Sequence, residues 1–394
     1  MKEIRSDIVI VGGGLTGLTL AYGLSRLNLK IILLDKFNLL TLKNDNYDLR
    51  TTAISEGSRK FLEKIGLWKM LIKHVEPIKE IKVLDRESSK PLNFLNKNNL
   101  KNLGYIVRNS IIKKNLLNLI NKNKNIKLLN NYVLQNIKYS EDKVVCVSKK
   151  NKIYSKLLIA TDGKKSKVRG LMETPCFKKN YKQKALVVNF DHSIDHESKA
   201  YELFFSNGPL AILPMKKYKK NLYSSSVIWS EKKDFIDNLY KLNRSFLLKI
   251  LEEKIFKFVG NIDKIIDVQS FNLSAHINSS FFEERVMYVG DSAHSIHPIA
   301  GQGWNVGVRD IQKCIDVIEN GLSLGLDLGS FNVCKRYNDY TYCDAYSLFE
   351  ITDKLNSVFT NDNFVIKSIR KKGFKIINNN KKLKNFITDF AMGV

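Results

Sequence analysis

Cysteine is scarce and unpatterned in this 394-residue chain: Cys146, Cys176, Cys314, Cys334 and Cys343 are odd in number, and no two stand in a C-x-x-C spacing. That argues against a disulfide scaffold or a zinc ribbon and makes a reducing cytoplasm the expected compartment. Long apolar runs are missing too. No stretch approaches the roughly 18 residues that a membrane span needs, and Ile8–Val11 is too short for a signal-peptide core. Arginine is the third shortage, with 12 of the 65 basic residues against 53 lysines. Nucleic-acid readers favour the arginine fork, and no basic segment here carries a binding motif with interleaved aromatics, so no nucleic-acid partner is expected. There is no internal repeat and no Pro/Ser-rich linker.

What is present is an ordinary globular composition, 44% apolar and 26% charged, enough for a sizeable core and for roughly two to three domains. The net charge of +26 comes mainly from lysines spread along the whole sequence. Most of it reads as solvated surface. Its functional reading is attraction to anionic lipid headgroups or acidic partners, worth ~1 kcal/mol per lysine close to a lipid surface.

Residues 6–36 read as one β-turn-α-β unit. Ile8–Val11 is a continuous apolar run, as in a strand buried on both faces. Gly12, Gly14 and Gly17 follow in a G-x-G-x-x-G spacing, then a helix with an apolar stripe, then a second strand ending at Asp35. Each glycine has its own reason: Gly12 for the tight turn, Gly14 for backbone approach to a pyrophosphate, Gly17 for close helix–strand packing. Asp35, 18 residues past Gly17, is placed to accept hydrogen bonds from an adenosine ribose. A dinucleotide site is therefore expected, although these residues alone do not separate NAD from FAD. Further on, residues 180–275 switch to alternating and β-branched runs, an antiparallel sheet interrupted by a helix near 233–257. A short buried strand at 286–289 then ends at Gly290-Asp291. In residues 298–305, Pro298 fixes φ while Gly301 and Gly303 expose backbone N–H groups ahead of a predicted helix, an arrangement suited to stabilising negative charge.

Two segments carry a family resemblance. Asp162-Gly163-Lys164-Lys165-Ser166-Lys167-Val168-Arg169 is similar to the D-G-x-x-S-x-x-R signature of single-component flavoprotein aromatic hydroxylases. Gly290-Asp291-Ser292-Ala293-His294, continued by His297-Pro298-Ile299-Ala300-Gly301-Gln302-Gly303-Trp304-Asn305, resembles their second FAD signature, in the form used by the ubiquinone-biosynthesis hydroxylases. Family-like stretches run nearly end to end, among them Asp48-Leu49-Arg50-Thr51-Thr52-Ala53-Ile54-Ser55.

The resemblance implies an α/β fold: a discontinuous Rossmann-like FAD-binding domain (residues 1–178 and 276–330), an inserted, mostly antiparallel substrate-domain sheet (179–275), and a C-terminal helical segment (331–394). It implies FAD as cofactor, with NAD(P)H as electron donor. Asp291 would bond the ribityl or ribose hydroxyls, and Arg50 would sit near the pyrophosphate. Asn109 takes a ribityl-contact position, Asp162 and Arg169 support the pyrophosphate region, and Pro298, Gly301, Gly303 and Asn305 form the flavin loop. Asp35 stands where Glu is commoner, Arg108 where an acid is frequent, and Trp304 where Leu is frequent.

The implied reaction is hydroxylation of a polyprenylated phenol by O2 through a C4a-hydroperoxyflavin. No catalytic side chain is assigned and no metal site is expected. Hydroxylation of a small soluble aromatic compound and non-catalytic prenyl binding on the same fold remain open alternatives. The expected location is the cytoplasm, with peripheral contact at the inner membrane face through the basic C-terminal run and other ubiquinone-biosynthesis proteins as partners.

Overall fold

The computed structural model describes residues 2–41, 48–85, 91–95, 102–217, 222–361 and 363–393. Ile8–Val11 and Ile31–Leu34 are apolar at every position and buried at every position, so both faces of the sheet they form are covered. They pair in parallel, with Leu157–Ala160 on one side and Ile126–Leu129 on the other. Val286–Tyr288 adds another parallel strand beside Leu157–Ala160, and Phe282–Glu283 closes that edge antiparallel. Ile8, Val9 and Ile10 are completely buried, each stabilising the fold by roughly 1.5–3 kcal/mol. The sheet is thus assembled from both sides of an insertion, as expected of a discontinuous Rossmann-like unit. The helices Asn109–Asn121 and Gly303–Ser323 pack against the first helix, Leu15–Leu24.

Among the described residues the inserted sheet has eight strands. From one edge it runs His294–Ser295, Ile262–Asn278, Cys176–His192, Tyr223–Lys232, Gly208–Met215, Lys199–Phe205, Glu80–Asp85 and Leu92–Leu95. Its extent differs from the expected 179–275. Glu80–Asp85 pairs in parallel with Lys199–Phe205, and Leu92–Leu95 pairs with Glu80–Asp85 in turn, so residues assigned to the 1–178 segment form one edge. Parallel pairing joins segments far apart in sequence and leaves no hairpin signal between them. One face of the sheet buries Leu186, Val188, Phe190, Val227 and Trp229 against the helices Lys233–Lys241 and Arg244–Val259. A separate three-stranded sheet, Thr51–Ser55, Gly104–Arg108 and Glu76–Ile78, packs against Gly208–Met215 and also touches Gly303–Ser323.

Three helices end the described chain: Phe331–Thr360, Phe364–Asn379 and Lys381–Met392. Arg370 anchors the second of them. Its buried guanidinium donates to the carbonyls of Val358 and Phe359 at 3.2 and 2.9 Å, and lies 3.3 Å from the buried carboxylate of Asp85. One side chain thus satisfies the end of a helix and ties it to the edge of the large sheet. Arg370→Met strands the Asp85 charge in the interior, and urea unfolding is expected to show a loss of about 3–5 kcal/mol.

Candidate functional site

The glycine loop is built as its spacing requires. Gly12 has φ +111°, and a Cβ there would lie 2.5 Å from the Thr161 carbonyl oxygen. A Cβ on Gly17 would lie 1.9 Å from the Gly12 carbonyl, so helix and strand approach as closely as backbone allows. Thr161 Oγ1 fixes that contact by donating to the carbonyls of Val11 and Gly12 at 3.0 and 2.8 Å. Gly14 differs in kind: a Cβ there would meet nothing within 4 Å. It caps Leu15–Leu24 without a side-chain hydrogen bond, so the first-turn N–H groups have no side-chain acceptor from the cap. Asp35, just past the end of Ile31–Leu34, accepts from the Gly13 N–H at 2.6 Å and from the Phe37 N–H at 2.8 Å. It therefore holds the loop directly, and a carboxylate has further lone pairs for a ribose.

Beside Gly14 lies a cavity of about 520 Å³ whose lining includes Leu15, Asp48, Arg50, Lys113 and Phe271. Arg50 forms a bidentate pair with Asp48, both contacts at 2.8 Å, and its guanidinium sits 5.3 Å from the Phe271 ring centroid. Asn109 donates to Asp48 at 3.2 Å and accepts from Thr52 Oγ1, while its backbone N–H donates to the Arg50 carbonyl. Desolvation works to raise the Asp48 pKa, but the Arg50 guanidinium and Asn109 outweigh it and hold the carboxylate below its usual range. Asp48 and Lys113 were not among the expected site residues. Lys113 falls one turn after Asn109 on Asn109–Asn121, and that i, i+4 spacing is the signal that places both on one face.

The D-G segment and the Gly290-Asp291 segment are joined by Arg169, which is buried. It donates to the Lys164 carbonyl at 2.8 Å, to the Ser292 carbonyl at 3.2 Å, and meets His276 Nε2 at 3.0 Å. Burial, reinforced by the Arg169 charge, pulls the His276 pKa down to about 3, so the ring stays neutral and can accept that contact. Asp162 accepts from the N–H groups of Lys167 and Val168 through Oδ2, capping a short helix, while its buried Oδ1 has no protein partner.

Asp291 is exposed, yet the protein around it raises its pKa by desolvation, against the pull of His294, Arg50 and Lys164. The turn carrying it is held by Asp310, whose Oδ2 accepts from the Gly290 N–H at 3.0 Å and contacts His294 Nε2 at 2.7 Å. Burial lowers the His294 pKa, but the carboxylates of Asp310 and Asp291 outweigh it and the net shift is upward from 6.5. A raised folded-state pKa contributes stability that is complete below the unfolded value and lost as pH rises through the folded one. Thermal melts of the parent are therefore expected to fall relative to His294→Asn as pH climbs from neutral, and parallel pH curves for the two would refute the ion pair.

In the 298–305 loop, Gly301 has φ +61° and its absent Cβ would lie 3.3 Å from Ala53 Cβ. Gly303 opens Gly303–Ser323, where a Cβ would meet nothing within 4 Å and the cap makes no side-chain hydrogen bond. Pro298 precedes them with φ −70°. Asn305, expected at the cofactor, is tied to the protein through its side chain. Its buried amide accepts from the Ser55 N–H and donates to the Ala53 carbonyl, both at 2.9 Å, so its side chain clamps the loop to Thr51–Ser55. His297 lies edge-on to Tyr181 at 4.8 Å, buried, with its pKa lowered to about 4 by desolvation.

Together these segments form a dinucleotide cradle on a Rossmann-type sheet accompanied by a second, larger sheet, which is the architecture of flavoprotein hydroxylases. Residues 5–318 match the FAD-binding-domain family, and the chain belongs to that family. It is 29% identical, over 98% of its length and 90% of the relative's, to the ubiquinone hydroxylase UbiL of Rhodospirillum rubrum. It is 25% identical, over the whole of both chains, to the 3-demethoxyubiquinol 3-hydroxylase of Escherichia coli. Among solved structures it superposes on the p-nitrophenol 4-monooxygenase PnpA of Pseudomonas putida with a TM-score of 0.79 at 16% identity, covering 100% of this chain and 98% of that one.

The residues present fit FAD. Two helix N-termini lack side-chain caps, two glycines open onto free space where a side chain would stand, and Asp291 and the unpartnered oxygen of Asp162 supply acceptors.

Proposed function

We propose that this chain is an FAD-dependent monooxygenase that hydroxylates the aromatic ring of a polyprenylated phenol in ubiquinone biosynthesis, using NAD(P)H and O2. FAD, when bound, supplies the oxygen activation, so that one oxygen atom enters the ring and the other leaves as water. Gly12 and Gly14 would admit the pyrophosphate at the N-terminus of Leu15–Leu24, with Asp35 on the adenosine ribose and Arg50, already oriented by Asp48, over the phosphates. Asp291 would take the sugar-chain hydroxyls beside Asn109. The N–H groups at the start of Gly303–Ser323 would stabilise negative charge on the reduced ring, because a helix N-terminus lowers the energy of nearby negative charge.

The observation that carries the substrate reading is the apolar wall beside the flavin loop. Ala53, which Gly301 abuts, belongs with Ile106, Leu213, Met215 and Met392 to one hydrophobic cluster. Such a cluster would give a prenylated ring an apolar boundary and help to keep water from the reacting centre. Two of the relatives are named as a ubiquinone hydroxylase and a 3-demethoxyubiquinol 3-hydroxylase, which fits this reading. The test is turnover of a polyprenylated phenol in detergent with NAD(P)H and isotopically labelled O2. One labelled oxygen atom in the product ring is expected. Hydroxylation of small aromatic acids alone would favour the soluble-substrate alternative, and purified protein without flavin would favour a non-catalytic binder.

A further inference from the structure

The two last helices break the usual rule for a solvent-facing helix. In Phe364–Asn379 the buried residues are Arg370 and Phe374. Val365, Ile369 and Ile376 lie on the opposite face, four and seven residues apart, and are 61%, 57% and 58% exposed. Phe364, at the start, is 84% exposed. Lys381–Met392 repeats the arrangement. Thr388 and Met392 face inward, whereas Phe386 and Phe390 point away from the protein with their rings stacked 6.5 Å apart. Consecutive helices therefore each present an outward apolar stripe, six large side chains in all.

The charge around these stripes says what covers them. Residues 363–393 contain eight lysines and arginines and a single acid, Asp389. Lys371, Lys372, Lys375, Lys381 and Lys382 are exposed beside the apolar side chains. A second copy of the chain docking here by a two-fold axis would set this basic patch against itself, which like-charge repulsion opposes. A surface that is apolar at the boundary and anionic just above it satisfies both features. Aliphatic and aromatic groups enter the headgroup region while lysine stems extend along it to the phosphates.

We infer that the Phe364–Asn379 and Lys381–Met392 helices are a docking foot for an anionic lipid bilayer. The foot is continuous with the site. Gln302, in the flavin loop, donates to the Ala391 carbonyl at 3.0 Å, and Met392 belongs to the apolar cluster with Ala53 and Ile106. Lys381–Met392 is about 18 Å long, so one short helix connects the lipid-facing phenylalanines to the wall beside Gly301. This rests on the polyprenyl-phenol reading above: a substrate tail dissolved in the bilayer would enter where the foot meets the membrane.

The experiment is co-sedimentation of the FAD-loaded full chain with phosphatidylcholine vesicles, with and without phosphatidylglycerol. Binding is expected only with the anionic lipid. It should weaken sharply as salt rises from 0.1 to 1 M and the screening length shrinks from ~10 to ~3 Å. Lys371→Gln, Lys372→Gln and Lys382→Gln should each reduce the partition coefficient about fivefold, and Ile369→Ser with Ile376→Ser should reduce it by tenfold or more. All these positions are exposed, and turnover of a short-chain, water-soluble phenol analogue should be unchanged. Binding indifferent to phosphatidylglycerol, or variants that sediment like the parent, would overturn the inference. So would a dimer in sedimentation velocity that Ile369→Ser dissolves. Failure of the substrate reading looks different: the chain would bind vesicles as described yet hydroxylate no prenylated phenol.

Discussion

Gly14→Val should leave the chain folded and empty it of flavin. The position has extended backbone, φ −74° and ψ −176°, which valine adopts freely, and the added side chain meets no protein atom within 4 Å of its Cβ. Stability should therefore stay within about 0.5 kcal/mol of the parent. The space that the side chain fills is the space in front of the uncapped helix N-terminus, where a pyrophosphate would lie. Flavin absorbance after purification is expected to fall below detection, with an unchanged circular dichroism spectrum. Gly17→Val is the contrasting control. Its Cβ would collide with the Gly12 carbonyl at 1.9 Å, so it should unfold the protein rather than merely empty it. Stoichiometric flavin in Gly14→Val would remove Gly14 from the site.

Gly303→Val should retain flavin and lose turnover. Gly303 is the first residue of a 21-residue helix, again with open space where a side chain would be. A valine there keeps the ring of a bound flavin away from the free N–H groups. Loss of a preorganised donor to a developing anion typically costs 10²–10³ in kcat, and the same loss should shift the flavin reduction potential to more negative values. His74→Ala, on an exposed 3₁₀ turn, should change neither. Equal losses of activity in the two variants at unchanged stability would refute the placement of the flavin loop.

Much of this site was legible because the residues that make it are constrained locally. Gly12 and Gly301 need positive φ, Gly17 needs a missing Cβ, and Asp35 ends a strand, so each leaves a mark within a few residues of itself. What was not legible depends on partners distant in sequence. The side-chain partners of Asn305, Ser55 and Ala53, lie some 250 residues earlier. Arg169, expected to support the pyrophosphate region, is a buried strut between two loops likewise distant in sequence. The strand Glu80–Asp85, next to the edge, joins the large sheet by parallel pairing over more than a hundred residues, and no periodicity announces such a partner.

The discontinuous sheet also sets a timetable for synthesis. Leu157–Ala160 is flanked by Ile8–Val11 on one side and by Val286–Tyr288 on the other. The first neighbour is already made when it emerges; the second is 128 residues behind, which at ~5–20 residues per second is roughly 6–25 s of translation. For that interval an apolar strand waits with an open edge, the condition under which strands recruit unrelated chains. Asp291 and the 298–303 loop arrive later still. A nascent chain arrested before residue 290 should therefore hold no flavin, which makes cofactor capture one of the last events in the life of the newborn protein and a late signal that its sheet has closed.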